Sequence, residues 1–435
     1  MVDLIQQAKD AGFDQAEVYR VSSESQPIGF ETNRLKEASR RDTSGAALRV
    51  IKDGHLGLSA TTDPAAESGL VGRVGELAPF GAEAAFQMPQ QGEYPSIDIY
   101  DPAIESLEFD TMVQTGQTLI DAVRKDWPEL NCSASVSRGV HKMSLVNSAG
   151  LETGYKQTSY SVGFGGELVR GEDMLFVWEG HGASRYFIDT DWMVESVKQQ
   201  LELSQETAEA PSGQIPVIFT PRGVSATLLG PLMSGFNGKS VMTGSSPMVE
   251  RLGDRVIDER ISIYDDPTIA GAIGSRPCDD EGVVSRRMPL IQNGVASNFL
   301  YDLQTAGRMN KTTTGAADRG LTSLPGPSTS VVDIAPGDTA YGDMFAGIKE
   351  GIVVERLLGA GQGNQMGGDF KANVLLGYKI ENGKIVGRIK DTMISGNVYD
   401  ALSKLEAVSD KAEWVYGSLR TPAIRCLGVE VAAAG

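Results

Sequence analysis

The segment 227–240, TLLGPLMSGFNGKS, contains residue types that occur in phosphate-binding sites, and it ends in Gly238-Lys239-Ser240. In the phosphate loop G-x-x-x-x-G-K-[ST], backbone N–H groups of a glycine-rich turn cradle the phosphates and the lysine contacts them. That pattern requires glycine at position 233, where this sequence has Met233. The helix is also predicted to precede the tripeptide, whereas the phosphate loop precedes its helix. The segment therefore does not predict a nucleotide site.

A second glycine-rich segment, GAGQGNQMGGDF at 359–370, has some features of a dinucleotide-binding fingerprint. The G-x-G-x-x-G pattern would place its third glycine at position 366, which is Met366, and no β-α-β unit is predicted around it. We interpret the segment as a tight connection between two β-strands.

The densest group of carboxylates is Asp279, Asp280 and Glu281, in the segment RPCDDEGVVSRR. Adjacent acidic residues followed by glycine are typical of a solvated turn between strands, with Gly282 in a positive-φ conformation. We adopt that interpretation. The alternative is an electrostatic patch that faces a cleft, where carboxylate oxygens would suit a hard cation.

Histidine and cysteine, the other residues that commonly do chemistry, are scarce. The chain has three histidines, His55, His141 and His181. One histidine is enough for a Ser-His-Asp triad, but no G-x-S-x-G elbow marks a nucleophile. We therefore interpret all three as structural or surface residues. The cysteines are odd in number and widely separated, which argues against a disulfide framework. We predict small buried hydrophobic side chains at Cys132, Cys278 and Cys426.

The charge balance excludes one class of partner. The chain has 39 basic and 57 acidic residues, a formal net charge of −18. Such a chain repels nucleic-acid phosphates, and no Lys/Arg cluster offers a basic groove. The first residues, MVDLIQQAKDAGFDQ, lack the features of a signal peptide, and no run approaches the ~20 apolar residues of a membrane span. We predict a cytoplasmic protein that binds neither nucleic acid nor membrane.

The elements that must position these residues indicate an α+β protein. Residues 1–210 are predicted to form a mixed α/β domain with an antiparallel sheet, divisible into lobes 1–100 and 101–210. Residues 211–435 are predicted to form a β-rich domain, either barrel-like or a strongly twisted sheet. The small and polar segment TAEAPSG, 207–213, marks the boundary.

Local signals within the second domain are sharper. The buried-type strand QIPVIF leads into Thr220, a good N-cap, and Pro221, a good first helical residue. Asn382-Gly383 in IENGKIVG predicts a β-hairpin, because both residues tolerate positive φ.

Several segments along most of the chain resemble the TldD/PmbA family. They are AGFDQAEVYR, GAALRVIKDGHLG, LVNSAG, DDEGVVSRRMPLIQNGVASNFLYDLQTAGRMNKTTTG and GGDFKANVLLGYKIENGKIVGRIKDTMISGNVYDAL. The resemblance implies a zinc metallopeptidase fold. In the catalytic subunit, TldD, the helix after a buried strand carries H-E-x-x-x-H, and a cysteine near the C-terminus completes the site. Imidazoles and a thiolate hold the zinc, and the glutamate is the base for metal-bound water.

In this sequence the corresponding stretch is LLGPLMSGFNG. Gly230 and Gly235 stand at the two histidine positions, and Pro231 stands at the glutamate position. Histidines five residues apart are separated by about 500° on an α-helix, so they face one ion only where the helix is distorted. The expected position of the cysteine falls near Val408, whereas Cys426 lies beyond the match.

The resemblance therefore implies the TldE/PmbA side of the family, a subunit without zinc or any other cofactor. The zinc is expected in a TldD-type catalytic partner. The implied assembly cleaves small or unfolded polypeptides, including peptide-antibiotic precursors and an antitoxin that acts on DNA gyrase. Two alternatives stay open: a stand-alone homodimeric peptide-binding or scaffold protein, and an enzyme with an unrelated site around the acidic segment 279–281 and Asp369.

An extended peptide would bind mainly through exposed strand edges and main-chain hydrogen bonds. The candidate cleft residues lie in two glycine-bearing turns of the C-terminal half. They are Asp279, Asp280, Glu281, Gly368, Asp369 and Phe370.

Overall fold

The computed structural model describes residues 3–433, apart from the side chain of Gln362. Within that range the α+β prediction is confirmed. An antiparallel sheet forms the N-terminal part, and a curled, half-barrel sheet forms the C-terminal part.

The N-terminal sheet is built from long antiparallel strands in the order β4-β3-β1-β5-β6-β7, with β2 paired to β1. Along β5, buried and less buried residues alternate, as expected for a strand with one packed face. The strands are β1 (Gln15–Glu31), β2 (Arg34–Ala38), β3 (Arg41–Lys52), β4 (His55–Thr61), β5 (Asn131–Asn147), β6 (Glu152–Arg170) and β7 (Asp173–Ala183).

Helices pack against this sheet. They are α1 (Leu4–Asp10), α2 (Leu70–Leu77), α3 (Pro102–Glu105), α4 (Phe109–Arg124) and α5 (Asp191–Leu203). The long helix α4 lies against β5 and buries one stripe of apolar residues. Gly116 allows the close approach, because a Cβ atom there would lie 2.5 Å from the Phe30 ring.

The C-terminal sheet is organised around a short buried strand, β10, which pairs parallel to β17 and antiparallel to β22. The strands of this part, which also include the separate pair β14–β15, are β8 (Thr207–Ala208), β9 (Gly213–Gln214), β10 (Val217–Phe219), β11 (Ile263–Asp265), β12 (Met288–Gln292), β13 (Val295–Ala296), β14 (Ala317–Asp318), β15 (Gly326–Pro327), β16 (Val332–Ile334), β17 (Glu350–Gln362), β18 (Asp369–Glu381), β19 (Lys384–Ile389), β20 (Thr392–Asn397), β21 (Leu405–Val415), β22 (Leu419–Cys426) and β23 (Val429–Ala433).

The helices of the C-terminal part are short. They are α6 (Pro221–Val224), α7 (Gly230–Phe236), α8 (Gly238–Met242), α9 (Leu303–Arg308) and α10 (Val398–Ser403). A π-helical segment, Ser225–Leu229, connects α6 to α7. None of the helices in residues 3–433 is long and apolar enough to cross a membrane.

One of the hydrophobic clusters contains residues of both parts. Phe30 and Val197 of the N-terminal part belong to the same buried cluster as Val353, Leu376 and Tyr378 of the C-terminal part. Packing is therefore continuous across the small and polar segment that the sequence marks as a boundary.

The predicted hairpin turn at Asn382-Gly383 is confirmed, and a second turn of the same kind lies at Asp53-Gly54. Asp53 and Gly54 connect β3 to β4 with φ values of 49° and 76°. Asn382 and Gly383 connect β18 to β19 with φ values of 48° and 77°. These are the left-handed conformations that such dipeptides adopt with little strain.

Candidate functional site

The helix that follows β10 begins where the sequence predicts. The Thr220 hydroxyl accepts a hydrogen bond from the backbone N–H of Gly223 at 3.3 Å, and Pro221 takes the first helical turn. The helix then continues through the π-helical segment into α7. In a π-helix the hydrogen bonds span five residues, which widens the helix locally. This distortion lies before Gly230, not between positions 230 and 235.

Gly230 and Gly235 face different sides because α7 is a regular α-helix. Five residues of α-helix turn by about 500°, which leaves the two positions about 140° apart. Gly230 is exposed, and open space surrounds a Cβ atom built on it, whereas Gly235 is buried. Pro231 is buried as well. The three positions of the degenerate zinc motif therefore do not surround one point in space.

Tyr399 of α10 occupies the space that a side chain at position 235 would need. A Cβ atom built on Gly235 would overlap the Tyr399 hydroxyl, and one built on Gly368 would lie 2.7 Å from Tyr399 Cε2. Two glycines thus accommodate one aromatic ring. Burial raises the pKa of Tyr399 well above its usual value, and its hydroxyl has no hydrogen-bond partner among the described residues. We call Gly235, Gly368 and Tyr399 the tyrosine pocket.

The residues at this position do not fit a zinc ion. Glycine and proline offer no side-chain ligand, and the tyrosine ring fills the buried side of α7. Val408, where the resemblance places the cysteine, is a buried apolar residue of β21. Within residues 3–433, no three His, Cys, Asp or Glu side chains form a group that could hold a metal ion. No hydrolytic step through zinc is therefore assigned to the side chains that the structure describes.

The turn that precedes β18 supports the tyrosine pocket. Gly368 adopts a φ of 94°, and the Asp369 carboxylate accepts a hydrogen bond from the Asn397 side-chain amide at 2.9 Å. The Asn397 side-chain oxygen in turn accepts one from the Tyr399 backbone N–H at 3.1 Å and caps α10. Phe370 is buried against Phe219 in the core. Of these candidate cleft residues, Asp369 positions the helix that carries Tyr399, whereas Phe370 faces inward.

The Gly-Lys-Ser tripeptide differs from the prediction in one respect. A helix precedes it, as expected, but Gly238 also begins the short helix α8. The Asn237 side-chain oxygen accepts hydrogen bonds from the backbone N–H groups of Lys239 and Ser240. These are the donors that an anion at a helix N-terminus would need, and Asn237 already satisfies them.

The interpretation of the acidic segment as a solvated turn is wrong, although Gly282 adopts the predicted positive φ, 79°. Asp279 and Glu281 are 0% exposed, and Asp280 is 5% exposed. The Asp279 carboxylate accepts backbone N–H hydrogen bonds from Glu281 and Ala317 at 2.9 and 3.0 Å. Burial raises the pKa of Asp279 and Glu281. These carboxylates hold the loop together from within the protein.

Glu281 belongs to a buried ion network that joins the two parts of the chain. Arg49 of β3 lies 2.6 Å from Glu281 and donates two further hydrogen bonds to Glu17 of β1. Arg319 Nη1 lies 2.8 Å from the same Glu17 carboxylate. Burial opposes the ionisation of Glu17, but Arg319 and Arg49 hold its pKa below the usual value. This network is not predicted from the sequence, where its one local signal is Arg49, a charged residue inside the apolar strand GAALRVI.

Asp280 is the acidic candidate that lines a cavity. This cavity, of about 340 Å³, also involves Tyr19 and His141. Burial lowers the pKa of His141, and the nearby Asp280 opposes that shift. His181 lies elsewhere and packs edge-on against Phe187 at 5.0 Å, and His55 contacts the backbone carbonyl of Asp53.

The cysteines behave as predicted. Cys132, Cys278 and Cys426 are buried, and none of the three is in a disulfide within the described chain.

Comparison with known proteins places this architecture in a family. The model for the PmbA/TldA metallopeptidase C-terminal domain matches residues 212–433, and the model for metallopeptidase domain 1 matches residues 16–76. An uncharacterized protein of Methanocaldococcus jannaschii is 26% identical over 424 residues, covering 97% of each chain. A "Metalloprotease TldD homolog" of Haemophilus influenzae is 30% identical over 220 residues, which is 50% of this chain and 45% of that protein.

A solved structure has the same fold. The crystal structure of TldE from Thermococcus kodakarensis superimposes with a TM-score of 0.89, at 22% identity and 99% coverage of both chains. With a family model spanning the whole C-terminal part, the chain belongs to the TldD/PmbA family.

Proposed function

We propose that this chain is a non-catalytic, TldE/PmbA-like subunit of a TldD–TldE metallopeptidase assembly that degrades small or unfolded peptides in the cytoplasm. The observation that carries the proposal is the tyrosine pocket. Tyr399 fills the buried side of α7 next to Gly235, and position 230 faces away from it. The helix that begins at Pro221 lies where the resemblance to the family places the zinc-binding helix of the catalytic subunit. Its positions 230, 231 and 235 carry no group that could bind zinc or accept a proton.

The comparisons support an assembly in which one subunit carries the zinc site and the other does not. Half of the chain matches a protein named a metalloprotease TldD homolog, and the whole chain has the fold of a TldE. In the proposed assembly, a TldD-type partner supplies the zinc and its ligands. This chain supplies part of the wall of the peptide-binding chamber, with Asp280 and Asp369 as its proposed polar residues.

The test is to purify the chain alone and together with a TldD-type subunit from the same organism. Zinc content is measured by inductively coupled plasma mass spectrometry, and hydrolysis is followed with an unfolded peptide. We expect no stoichiometric zinc and no hydrolysis for the isolated chain. We expect a stable complex with one zinc ion per pair of subunits and with peptidase activity.

The other outcomes distinguish the alternatives. Stoichiometric zinc together with hydrolysis in the isolated chain would refute the proposal. If the chain forms a homodimer that binds unfolded peptide and does not associate with the TldD-type subunit, it is a stand-alone binding protein. Activity of the isolated chain that is lost in the Asp280→Ala and Asp369→Ala variants would identify an unrelated catalytic site.

A further inference from the structure

A separate cavity lies where helix α5 of the N-terminal part meets the start of α6 in the C-terminal part. Its volume is about 280 Å³, well above what one water molecule needs. Strands β7, β17, β18 and β21 also contribute to its lining. We call it the α5–α6 cavity, and none of its lining residues belongs to the tyrosine pocket or to the buried ion network.

Carboxylates outnumber cations in this lining. Glu179, Glu355 and Glu413 face a single guanidinium, that of Arg222. Arg222 is ion-paired with Glu179 and lies 3.7 Å from Glu355. Arg356, outside the lining, is a second cation close to Glu355 and Glu179. Two guanidinium groups do not neutralise three carboxylates, so the cavity keeps a negative charge that attracts a further cation.

A buried hydroxyl and a half-buried carboxylate of the lining can each accept a further hydrogen bond. Tyr378 is 1% exposed. The Ser204 hydroxyl lies beside the Tyr378 hydroxyl, but neither completes a hydrogen bond with a described residue. Glu355 accepts a hydrogen bond from the Thr220 hydroxyl at 3.0 Å, and burial raises its pKa. A buried polar group without a partner is costly unless water or a ligand satisfies it. A hydroxyl oxygen and a carboxylate can both accept a hydrogen bond from an N–H donor.

The remaining walls suit an organic cation. Trp192 and Tyr341, each 42% exposed, lie on the lining and present aromatic surface to it. Aromatic faces attract ammonium groups. Leu203 and Val353 add apolar surface that can contact an aliphatic chain. A hard metal ion would gain nothing from aromatic and aliphatic walls, because it prefers a shell of oxygen ligands.

We propose that the α5–α6 cavity binds the primary ammonium group of a small aliphatic ligand, either a free amine or a lysine side chain. The ammonium group has three N–H donors. Glu355, Glu179 and the Tyr378 hydroxyl are its acceptors, and the aliphatic chain lies against the aromatic and apolar walls. This site is independent of the peptidase proposal, since it requires neither zinc nor a second subunit.

The proposal is tested by isothermal titration calorimetry of the full chain with n-butylammonium chloride. We expect saturable binding at one site, and no binding of n-butanol, which has the same shape and no charge. Binding of n-butanol with equal affinity, binding of Mg²⁺ in place of the amine, or no heat of amine binding would each overturn the proposal. Nα-acetyl-lysine amide, titrated in parallel, distinguishes the two sources: tighter binding than n-butylamine assigns the site to a lysine side chain, and weaker binding assigns it to a free amine.

Variants locate the site. Glu355→Gln keeps the shape of the side chain and removes its charge, so we expect roughly tenfold weaker amine binding. Tyr378→Phe removes only the hydroxyl and should also weaken binding. Glu172→Gln, in an exposed turn outside the lining, is the matched control. If Glu172→Gln weakens amine binding as much as Glu355→Gln does, the amine is attracted by the overall negative charge of the protein, and the assigned site is refuted. Circular dichroism and the thermal unfolding midpoint verify that each variant is folded.

Discussion

Arg49 Nη1 lies 2.6 Å from Glu281 Oε1 although 232 positions separate the two residues in sequence, and both side chains are almost completely buried. The pair connects strand β3 to a loop of the C-terminal part. A buried charge without its partner is strongly destabilising, whereas an exposed pair contributes little.

We therefore expect Arg49→Met to lower the free energy of unfolding by about 3–5 kcal/mol, because it leaves Glu281 without its ion-pair partner and Glu17 with Arg319 alone. Urea denaturation measures the change. Arg41→Met is the matched control, since Arg41 forms an exposed pair with Glu37 at a similar distance, 2.8 Å, and should cost no more than about 1 kcal/mol. Equal effects of the two substitutions would contradict the assigned role of the network.

The tyrosine pocket predicts a coupling between positions 235 and 399. Gly235→Ala should destabilise the protein by about 1–3 kcal/mol, because the new methyl group meets the Tyr399 hydroxyl. In the Tyr399→Phe background, Gly235→Ala should lower the free energy of unfolding by less. The hydroxyl is then absent, and the ring carbon Cζ would lie 3.3 Å from the new Cβ atom. Tyr399→Phe alone should have little effect, because the hydroxyl has no partner among the described residues.

A double-mutant cycle followed by urea denaturation measures this coupling. Gly230→Ala in the same helix is the control. No atom from elsewhere in the fold lies within 4 Å of a Cβ atom built at position 230. The helix propensity of alanine is opposed by the strain of an α-helical residue before Pro231, so the free energy of unfolding should change by no more than about 1 kcal/mol. Strict additivity of the Gly235 and Tyr399 substitutions would show that the two side chains do not compete for one space.

Asp265 makes the stability depend on pH. Its carboxylate accepts backbone N–H hydrogen bonds from Ser330 and Val331, and burial raises its pKa to about 6, from a usual value of 3.8. The folded state therefore binds this proton more tightly than the unfolded state. The contribution of Asp265 to the free energy of unfolding is largest below pH 3.8 and falls as the pH rises to about 6.

Asp265→Asn should remove that dependence, so the loss of stability between pH 4 and 6 should be smaller by roughly 2–3 kcal/mol. Urea unfolding at several pH values in that range provides the measurement. Asp410→Asn, at an exposed position, should leave the profile unchanged. Parallel profiles for the wild-type protein and Asp265→Asn would disprove the prediction.

The cysteines should be inert in the folded protein. Burial raises the pKa of Cys132 to about 11 and that of Cys278 and Cys426 to about 12. Because the thiolate is the reactive form, we expect Ellman's reagent to modify none of the thiols in native buffer and all of them in guanidinium chloride. Rapid modification of the native protein would show that at least one thiol is accessible.

Features that depend on neighbours in sequence were predictable. Thr220 and Pro221 start a helix because a hydroxyl and a fixed φ act within a few residues. Asn382 and Gly383 form a hairpin turn for the same kind of reason. The alternation of residues in the long strands likewise predicted an antiparallel sheet, because burial follows a period of two.

Features that depend on distant residues were not predictable. Three consecutive acidic residues followed by glycine are typical of a solvated turn. No residue near Glu281 in the sequence indicates that Arg49 is its ion-pair partner. Gly235 identifies a missing ligand, but its sequence context does not show that Tyr399 occupies the resulting space. In both cases the deciding contact joins parts of the chain that only the folded sheet brings together.

The π-helical segment Ser225–Leu229 has a consequence for how such helices diverge. One hydrogen-bonded turn there holds an extra residue, so deleting a single residue from it would restore a regular α-helical turn without rotating the residues that follow. Gly230 and Gly235 would then keep the faces that they now present to α10. A one-residue difference in length can therefore be absorbed within this segment, and an alignment that places the gap elsewhere in the helix would pair the wrong positions.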